Sequence, residues 1–412
     1  MKIHAESGAF SKALSIVTRA AARKTTVIQL GAVLIEARDG VLSFKATDNE
    51  ISISLRSSAK IEEEGAAAIP ARMVNEIASQ LKEQPITLSA DESGATLATE
   101  SASYTLRCHD PKEFPQLPEF DKTSAFSVPA RDFAKAISRA SAAVSDDESR
   151  PVLCGLLASF AGGSLTMAST DSYRLALHKG RIGEDPGEER GAVIPARALA
   201  EVSRLADMDD EISVMLGENQ AMFKAKSVVL STRLIDGNFP EYSRLLPESF
   251  EKEFDVPAQA LRESLKRANL FSGASSSKSS KGGSPGAPVR FAFSAEEGTL
   301  TGGRLTISSK SSETGEATES LQASVPEGSE EFVVAFNGRY IADGVAEIIA
   351  TGAESVRFKA NEPLKPVVLS PAPASDDDKG EARDSKQPPD YTYLIMPMRD
   401  PDAAGKEDQQ GA

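Results

Sequence analysis

AIPARMVNEIASQL, residues 68–81, is answered by VIPARALAEVSRL, residues 193–205, and this recurrence decides how the chain is read. Pro70 and Arg72 return as Pro195 and Arg197, 125 residues later. Phe114-Pro115 returns at the same offset as Phe239-Pro240, and Thr47-Asp48 returns at an offset of 123 as Thr170-Asp171. Landmarks in one order and at nearly one spacing mark two copies of a single unit, and such a repeat bounds the architecture before any other feature does. A third copy is more diverged. FDVPAQALRESLKRA, from Phe254, answers FSVPARDFAKAISRA, from Phe126. FNGRYIADGVAEI, from Phe336, stands where the second copy has VIPARALAEV, its offset stretched to about 142 by extra loop sequence. Domains are therefore expected at 1–123, 124–250 and 251–399, with a tail at 400–412.

Each copy is itself double. Pro70, Pro129, Pro195 and Pro257 are spaced 59, 66 and 62 residues apart. After each comes a stretch with apolar residues at helical spacing, such as Phe133, Ile137 and Ala140, or Leu199, Val202 and Leu205. Proline near a first helical turn suits this, because its missing N–H has no partner to find there. The spacing predicts helices over 7–24, 71–82, 130–142, 196–206, 258–269 and 338–350. Between them run alternating segments with turn pairs: AVLIEARDGVLSFKA around Asp39-Gly40, and LLASFAGGSLTMAS around Gly162-Gly163. Both are hairpin signals. The expected fold class is α+β, three copies of a duplicated helix-plus-antiparallel-sheet domain.

With 412 residues, 40% hydrophobic and 26% charged, the chain has ordinary globular composition for several domains. No apolar run approaches the ~18 residues of a membrane span, and MKIHAESGAF lacks the apolar core of a secretory signal. Cys108 and Cys154 form neither a disulfide framework nor a metal spacing. A cytoplasmic, nucleoid-associated protein with two reduced thiols is expected, with no membrane partner. His4, His109 and His178 have no ligand spacing to one another or to the cysteines. Walker loop, nucleophile elbow and paired-carboxylate motif are all missing, and Thr-Asp after a strand reads as turn chemistry. No catalytic residue, metal or cofactor is expected.

A net charge of −15 argues against binding nucleic acid by bulk electrostatics. The basic residues are segregated, however. The six predicted helices hold fifteen Lys and Arg against six Asp and Glu, a balance of +9. Ordinary solvated faces are the bland explanation. The functional one puts Lys12, Arg19, Lys24, Arg72, Lys135, Arg139, Arg150, Arg197, Lys266 and Arg267 against a polyanion. Neither interleaved aromatics nor a recognition-helix motif accompanies them, so the contact implied is to phosphates and independent of sequence. Such contact weakens steeply with salt, by roughly 0.9 log unit per phosphate per log unit of salt. Retention would then need another restraint, such as a closed ring.

ATDNE and STDSYRLA around Asp48 and Asp171, LIDGNFPEYSRLLP from Leu234 to Pro247, and YLIMPMR from Tyr393 to Arg399 carry a resemblance. From Met1 to Arg399, loops apart, the sequence resembles the bacterial beta sliding clamp family, the DNA polymerase III beta subunit. The resemblance implies the DNA clamp fold and a head-to-tail homodimer forming a six-domain ring around double-stranded DNA. It implies a non-catalytic processivity factor that tethers the polymerase III alpha subunit, the clamp loader and other proteins with clamp-binding peptide motifs. A peptide pocket is implied at Leu153, Thr170, Ser172, Tyr173, Arg174 and Leu175, and at Pro240, Arg244 and Leu245. It continues through Asn337, Tyr340, Leu364 and Pro366 to Ile395, Met396, Pro397, Met398 and Arg399. Leu, Met, Pro and Ile suit the apolar anchors of an extended peptide, and Arg174 and Arg399 are expected at the rim, on its polar groups. Tyr104 on one side, with Leu270 and Phe271 on the other, match the family's dimer contacts. The sequence departs from the family at three places: a polar loop at 272–288, an acidic insertion at 373–390 and the tail at 400–412, all expected to be flexible. The alternatives are a paralogous clamp replacing a housekeeping one, or an unidentified cytoplasmic ligand-binding protein or enzyme of duplicated α+β domains.

Overall fold

Asp39 and Gly40 both have positive φ, 51° and 74°, as do Gly162 and Gly163, 55° and 70°. This is the backbone of a two-residue hairpin turn whose twist matches the flanking strands. The turns close hairpins between strands Ala32–Arg38 and Val41–Thr47, and between Gly155–Ala161 and Ser164–Thr170. The computed structural model describes residues 1–91, 93–183, 186–272, 287–296, 302–312, 314–373 and 390–399. The interior of the polar loop, the interior of the acidic insertion and the tail 400–412 lie outside the described residues.

Among the described residues the helices are α1 (Ser7–Val17), α2 (Ala71–Gln80), α3 (Ala130–Ala140), α4 (Ala196–Ser203), α5 (Ala258–Phe271) and α6 (Gly338–Ala350). Pro70, Pro195 and Pro257 end a strand and serve as N-caps of α2, α4 and α5, with φ between −52° and −54°. In α6 this place is taken by Asn337, whose side chain accepts from Arg339 N and Tyr340 N at 3.0 and 3.2 Å, a standard cap. The helix expected over 7–24 is shorter than its periodicity suggested. Thr18 Oγ1 donates back to Leu14 O at 2.7 Å, one 3₁₀ turn follows over Thr18–Ala20, and Ala21 is extended. A hydroxyl competing for the last carbonyls ends the helix there. Lys24 therefore lies on a loop rather than on α1.

The chain forms two compact units. The first comprises Met1–Ala134 and Ile182–Asp236. One of its sheets runs Lys60–Glu63, Lys2–Glu6, Pro85–Asp91, Gly94–Ala98, Ser103–Leu106. The other runs Phe126–Pro129, Glu211–Leu216, Gln220–Ala225, Val228–Arg233, Ile51–Ser57, Val41–Thr47, Ala32–Arg38, Gly65–Pro70. The second unit comprises Lys135–Arg181 and Gly237 onward. Its strands run Gly155–Ala161, Ser164–Thr170, Arg174–Arg181, Tyr391–Ile395, Val367–Pro371, Ser355–Ala360, Lys252–Pro257, Gly315–Ser324, Gly302–Ser311, Pro288–Ala295, Phe332–Asn337. All these pairings are antiparallel. Ladders thus join neighbouring repeat copies: Val228 pairs with Leu55, and Arg174 with Ile395.

Period-two alternation divides the second unit's core. Tyr391, Tyr393, Ile395, Val367 and Leu369 belong to one buried cluster, with Phe254, Phe291, Phe293 and Phe358. Leu394, Val368, Leu175 and Leu177 face the opposite way, into a second cluster covered by Phe239, Tyr242, Leu246 and Phe250. Both faces of these strands are buried, which is why Tyr393, Leu394 and Ile395 read as an unbroken apolar run. Phe254 and Phe293 stack with centroids 4.3 Å apart, and each fully buried Phe contributes roughly 1.5–3 kcal/mol.

Candidate functional site

The two Thr-Asp landmarks fold into the same turn. Thr47 Oγ1 donates to Ile51 O, Asn49 N donates to Thr47 Oγ1, and Glu50 N and Ile51 N donate to Asp48 Oδ1. Residues 170–174 of the second copy repeat this. Thr170 Oγ1 donates to Arg174 O at 2.7 Å, Ser172 N to Thr170 Oγ1, and Tyr173 N and Arg174 N to Asp171 Oδ1. Asn49 and Ser172, at the same step, have φ of 75° and 79°. The carboxylates are consumed by turn geometry, as Asx turns require.

The copies differ in what the second carboxylate oxygen takes. Asp48 Oδ2 pairs with Arg197 of α4 at 2.5 Å. Asp171 Oδ2 instead accepts from Arg174 Nε at 3.0 Å, inside its own turn. Arg174 Nη1 also donates to Asp343 Oδ2 at 2.6 Å and to Tyr393 OH at 3.3 Å, and Cζ lies 4.1 Å from the Tyr340 ring centroid. Arg174 is only 6% exposed. The expectation of a rim arginine reaching for peptide is thus corrected: this guanidinium is enclosed and already occupied. Burial by itself disfavours its charge, but Tyr393, Asp343 and Asp171 outweigh that and raise its pKa. Burial likewise pushes the Tyr393 phenol upward. Removing one member of such a set typically costs about 3–5 kcal/mol, because a buried charge is left uncompensated.

All eighteen residues expected in the pocket belong to the second unit. Strand register explains how most of them meet. Leu157 pairs with Ala168, Thr170 with Leu175, Arg174 with Ile395, and Val367 with Ile395. Leu153, the 170–174 turn, Leu364-Pro366 and Ile395–Arg399 therefore gather at one end of five adjacent strands. Met396 N donates to Tyr173 O at 2.8 Å and Met398 N to Ala335 O at 2.7 Å, tying the C-terminal segment to the turn and to the strand before α6. Tyr173 and Tyr340 have ring centroids 6.5 Å apart. Pro240, Arg244 and Leu245 belong to the segment that covers the Leu175 and Leu394 face. In its GNFP stretch Gly237 has φ +121°, and a Cβ there would meet Val152 Cγ2 at 2.8 Å, so only glycine fits. Leu175 is 1% exposed and lies beneath the site as core. Tyr173, Leu245, Leu364 and Met396 are 60%, 47%, 68% and 39% exposed. Large apolar side chains left in water together mark an interaction surface.

The basic residues divide into two groups. Arg72 pairs with Glu76, Arg19 with Glu201, Arg197 with Asp48, Arg150 with Asp147, and Arg267 with Glu319. Lys12, Lys24 and Lys266 are exposed and make no ion pair among the described residues. Lys135 is exposed, Arg139 half-buried. Lys12, Arg19, Lys24, Arg72 and Arg197 belong to the first unit, the other five to the second. An open groove of ≈ 690 Å³ in the first unit, lined by Phe120, Lys122, Asp209, Asp210, Lys224 and Lys226 among others, contains none of the residues singled out.

Comparison with known proteins decides the family. Residues 1–118, 127–241 and 243–379 match, in order, the N-terminal, central and C-terminal domains of the DNA polymerase III beta subunit. The chain belongs to the DNA polymerase III beta subunit family. A beta sliding clamp of Streptomyces coelicolor is 29% identical over 405 residues, covering 97% of this chain and 99% of that one. The sliding clamp of Bacillus subtilis superposes with a TM-score of 0.84 at 25% identity, covering 97% and 99% of the two chains. A Pseudomonas aeruginosa clamp bound to griselimycin gives 0.82 at 25%, with 97% and 99% covered. As a family member the chain is a sliding clamp, a processivity subunit and not a catalyst. Among the described residues, no helix is long and apolar enough to cross a membrane.

Of the residues expected at a dimer seam, Tyr104 is half-buried on Ser103–Leu106, the outermost strand of its sheet. Leu270 at the end of α5 is 57% exposed, with Phe271 half-buried beside it. Sequence reasoning missed Asp343 and Tyr393 as parts of the site. A signal existed: Asp343 falls three residues after Tyr340, on the same helical face, and Tyr393 alternates with Leu394.

Proposed function

We propose that two copies of this chain close head to tail into a ring around duplex DNA, each contributing three domains, 1–123, 124–250 and 251–399. The helices would line the hole, with exposed Lys12, Lys24 and Lys266 the first to meet phosphates, Lys135 and Arg139 beside them, and Arg19, Arg72, Arg150, Arg197 and Arg267 exchanging carboxylate partners for phosphates. Contact of this kind holds weakly and lets the ring slide. Tyr104, Leu270 and Phe271 would form the seam. Two strand edges support it. Ser103–Leu106 ends its sheet, and Gly315–Ser324 pairs along its length with Gly302–Ser311 but with Lys252–Pro257 only at Ser324. Open edges of this kind invite pairing with another chain.

The end of the five strands in the second unit would dock peptide motifs of the polymerase III alpha subunit, the clamp loader and other partners at the nucleoid, and would take griselimycin as well. The observation that carries this is that exposed Tyr173, Leu364 and Met396 belong to segments that strand register brings to one end of the sheet, with exposed Leu245 on the segment packed over its face. Replacing Met396 and Met398 with glutamate tests it. Griselimycin binding, read by calorimetry, is expected to vanish while sedimentation still reports a dimer. Loss of the dimer with binding retained would contradict the assignment.

A further inference from the structure

We propose that Asp343 is a positioning residue of the docking groove. With Asp171 it holds Arg174 under Tyr340, fixing the apolar wall and cancelling the positive charge beneath it, so that the groove selects neutral apolar segments over acidic ones. This rests on the docking reading above.

An arginine beside an apolar groove would ordinarily be its anchor for a carboxylate. Here Nε and Nη1 are already engaged. Nε donates to Asp171 Oδ2 at 3.0 Å, and Nη1 to Asp343 Oδ2 at 2.6 Å and Tyr393 OH at 3.3 Å, while the Tyr340 ring covers Cζ at 4.1 Å. With Nε and Nη1 turned to Asp171, Asp343 and Tyr393, an incoming carboxylate finds little at Arg174 to offset its own desolvation.

The two carboxylates have different tasks. Asp171 is fixed by the turn it closes and keeps Arg174 in register with its own strand. Asp343 comes from α6, three residues after Tyr340, and therefore ties the helix carrying the wall to the turn carrying Tyr173. Tyr393 OH donates to Tyr340 O at 2.8 Å, and Met396 N to Tyr173 O at 2.8 Å, so both walls hang on the same set of bonds. The Asp343 side chain is 40% exposed, at the boundary with solvent. It is the member of the set that can be neutralised with the least disturbance of the core.

The test uses the full-length protein. Calorimetric titration with griselimycin is expected to give a dissociation constant about tenfold weaker for Asp343→Asn, about 1.4 kcal/mol, with Asp343→Glu restoring most of the affinity. A second readout separates positioning from general loosening: two synthetic apolar hexapeptides that differ only in one internal Gln or Glu. The wild type is expected to prefer the Gln peptide, Asp343→Glu to keep that preference, and Asp343→Asn to lose or reverse it as the guanidinium is released. Wild-type affinity for griselimycin in Asp343→Asn, an unchanged peptide preference in that variant, or a lost preference in folded Asp343→Glu each overturns the proposal. Absence of griselimycin binding by the wild type overturns the docking reading itself, and is seen before any variant is made.

Discussion

Replacing Gly344 with alanine sets two well-scaled effects against each other. On helix propensity alone, Ala in place of Gly inside α6 stabilises by about 1 kcal/mol. A Cβ at Gly344, however, would lie 2.4 Å from Tyr393 Cδ1, 2.5 Å from Cε1 and 2.9 Å from Cγ. Carbon atoms rest about 3.5–4.0 Å apart, so the overlap approaches or exceeds an ångström. Tyr393 has little room to yield, since it is 0% exposed, donates to Tyr340 O and packs 6.4 Å from Tyr391, centroid to centroid. Overpacking costs about 1–3 kcal/mol, and a clash with a ring held on several sides belongs at the upper end. The net expectation is a destabilisation of about 1–2 kcal/mol, a fall in melting temperature of roughly 2–8 °C for a unit of this size. Differential scanning calorimetry measures it, and griselimycin binding should weaken in parallel because Tyr393 also holds Tyr340. A melting temperature equal to or above the wild type would refute the reasoning: propensity would have won, and the packing of α6 on Tyr393 would have slack.

Changing Leu270 and Phe271 to alanine should shift the sedimenting mass from twice 43.6 kDa toward 43.6 kDa, and an unchanged mass would exclude these residues from the seam. Replacing Lys12, Lys24 and Lys266 with alanine should flatten the salt dependence of duplex binding, by up to roughly 0.9 log unit for each phosphate that is no longer neutralised. An unchanged slope would take these lysines off the DNA face. Two carboxylates should respond to pH in opposite senses. Hydrogen bonding from Arg267, helped by Ser264, holds the Glu319 carboxyl below its usual range, so its stabilisation is present above the ordinary carboxylate pKa of about 4.3 and is lost as pH falls through the lowered value. Burial raises Glu347, so its contribution is full below that ordinary value and is lost as pH rises through the raised one. Urea midpoints should therefore show Glu319→Gln destabilised and Glu347→Gln stabilised at pH 7, with both differences shrinking toward pH 3.

What the sequence disclosed was whatever is written in local pattern. Pro70, Pro195 and Pro257 mark helix starts because a proline φ suits the residue before a helix, and Asp39-Gly40 and Gly162-Gly163 mark hairpins because both residues need positive φ. The motif around Asp171 also pointed to the end of the sheet where docking is proposed. The end of α1 was hidden, because apolar periodicity continues past Thr18 while a single hydroxyl stops the helix. The fate of Arg174 was hidden for another reason: Asp343 lies 169 residues away, and only strand register and the packing of α6 bring the two together. Charge counting had the same blind spot. It found the arginines, but not that Glu201, Asp48 and Glu319 already hold Arg19, Arg197 and Arg267.

Topology, not affinity, is proposed to keep this protein on DNA. The direct measurement loads the clamp on a nicked circular duplex, raises the salt to half molar, and follows co-elution by gel filtration before and after the circle is cut once. A closed ring stays with the circle at high salt and runs off after linearisation. Equal loss from circular and linear DNA would contradict it.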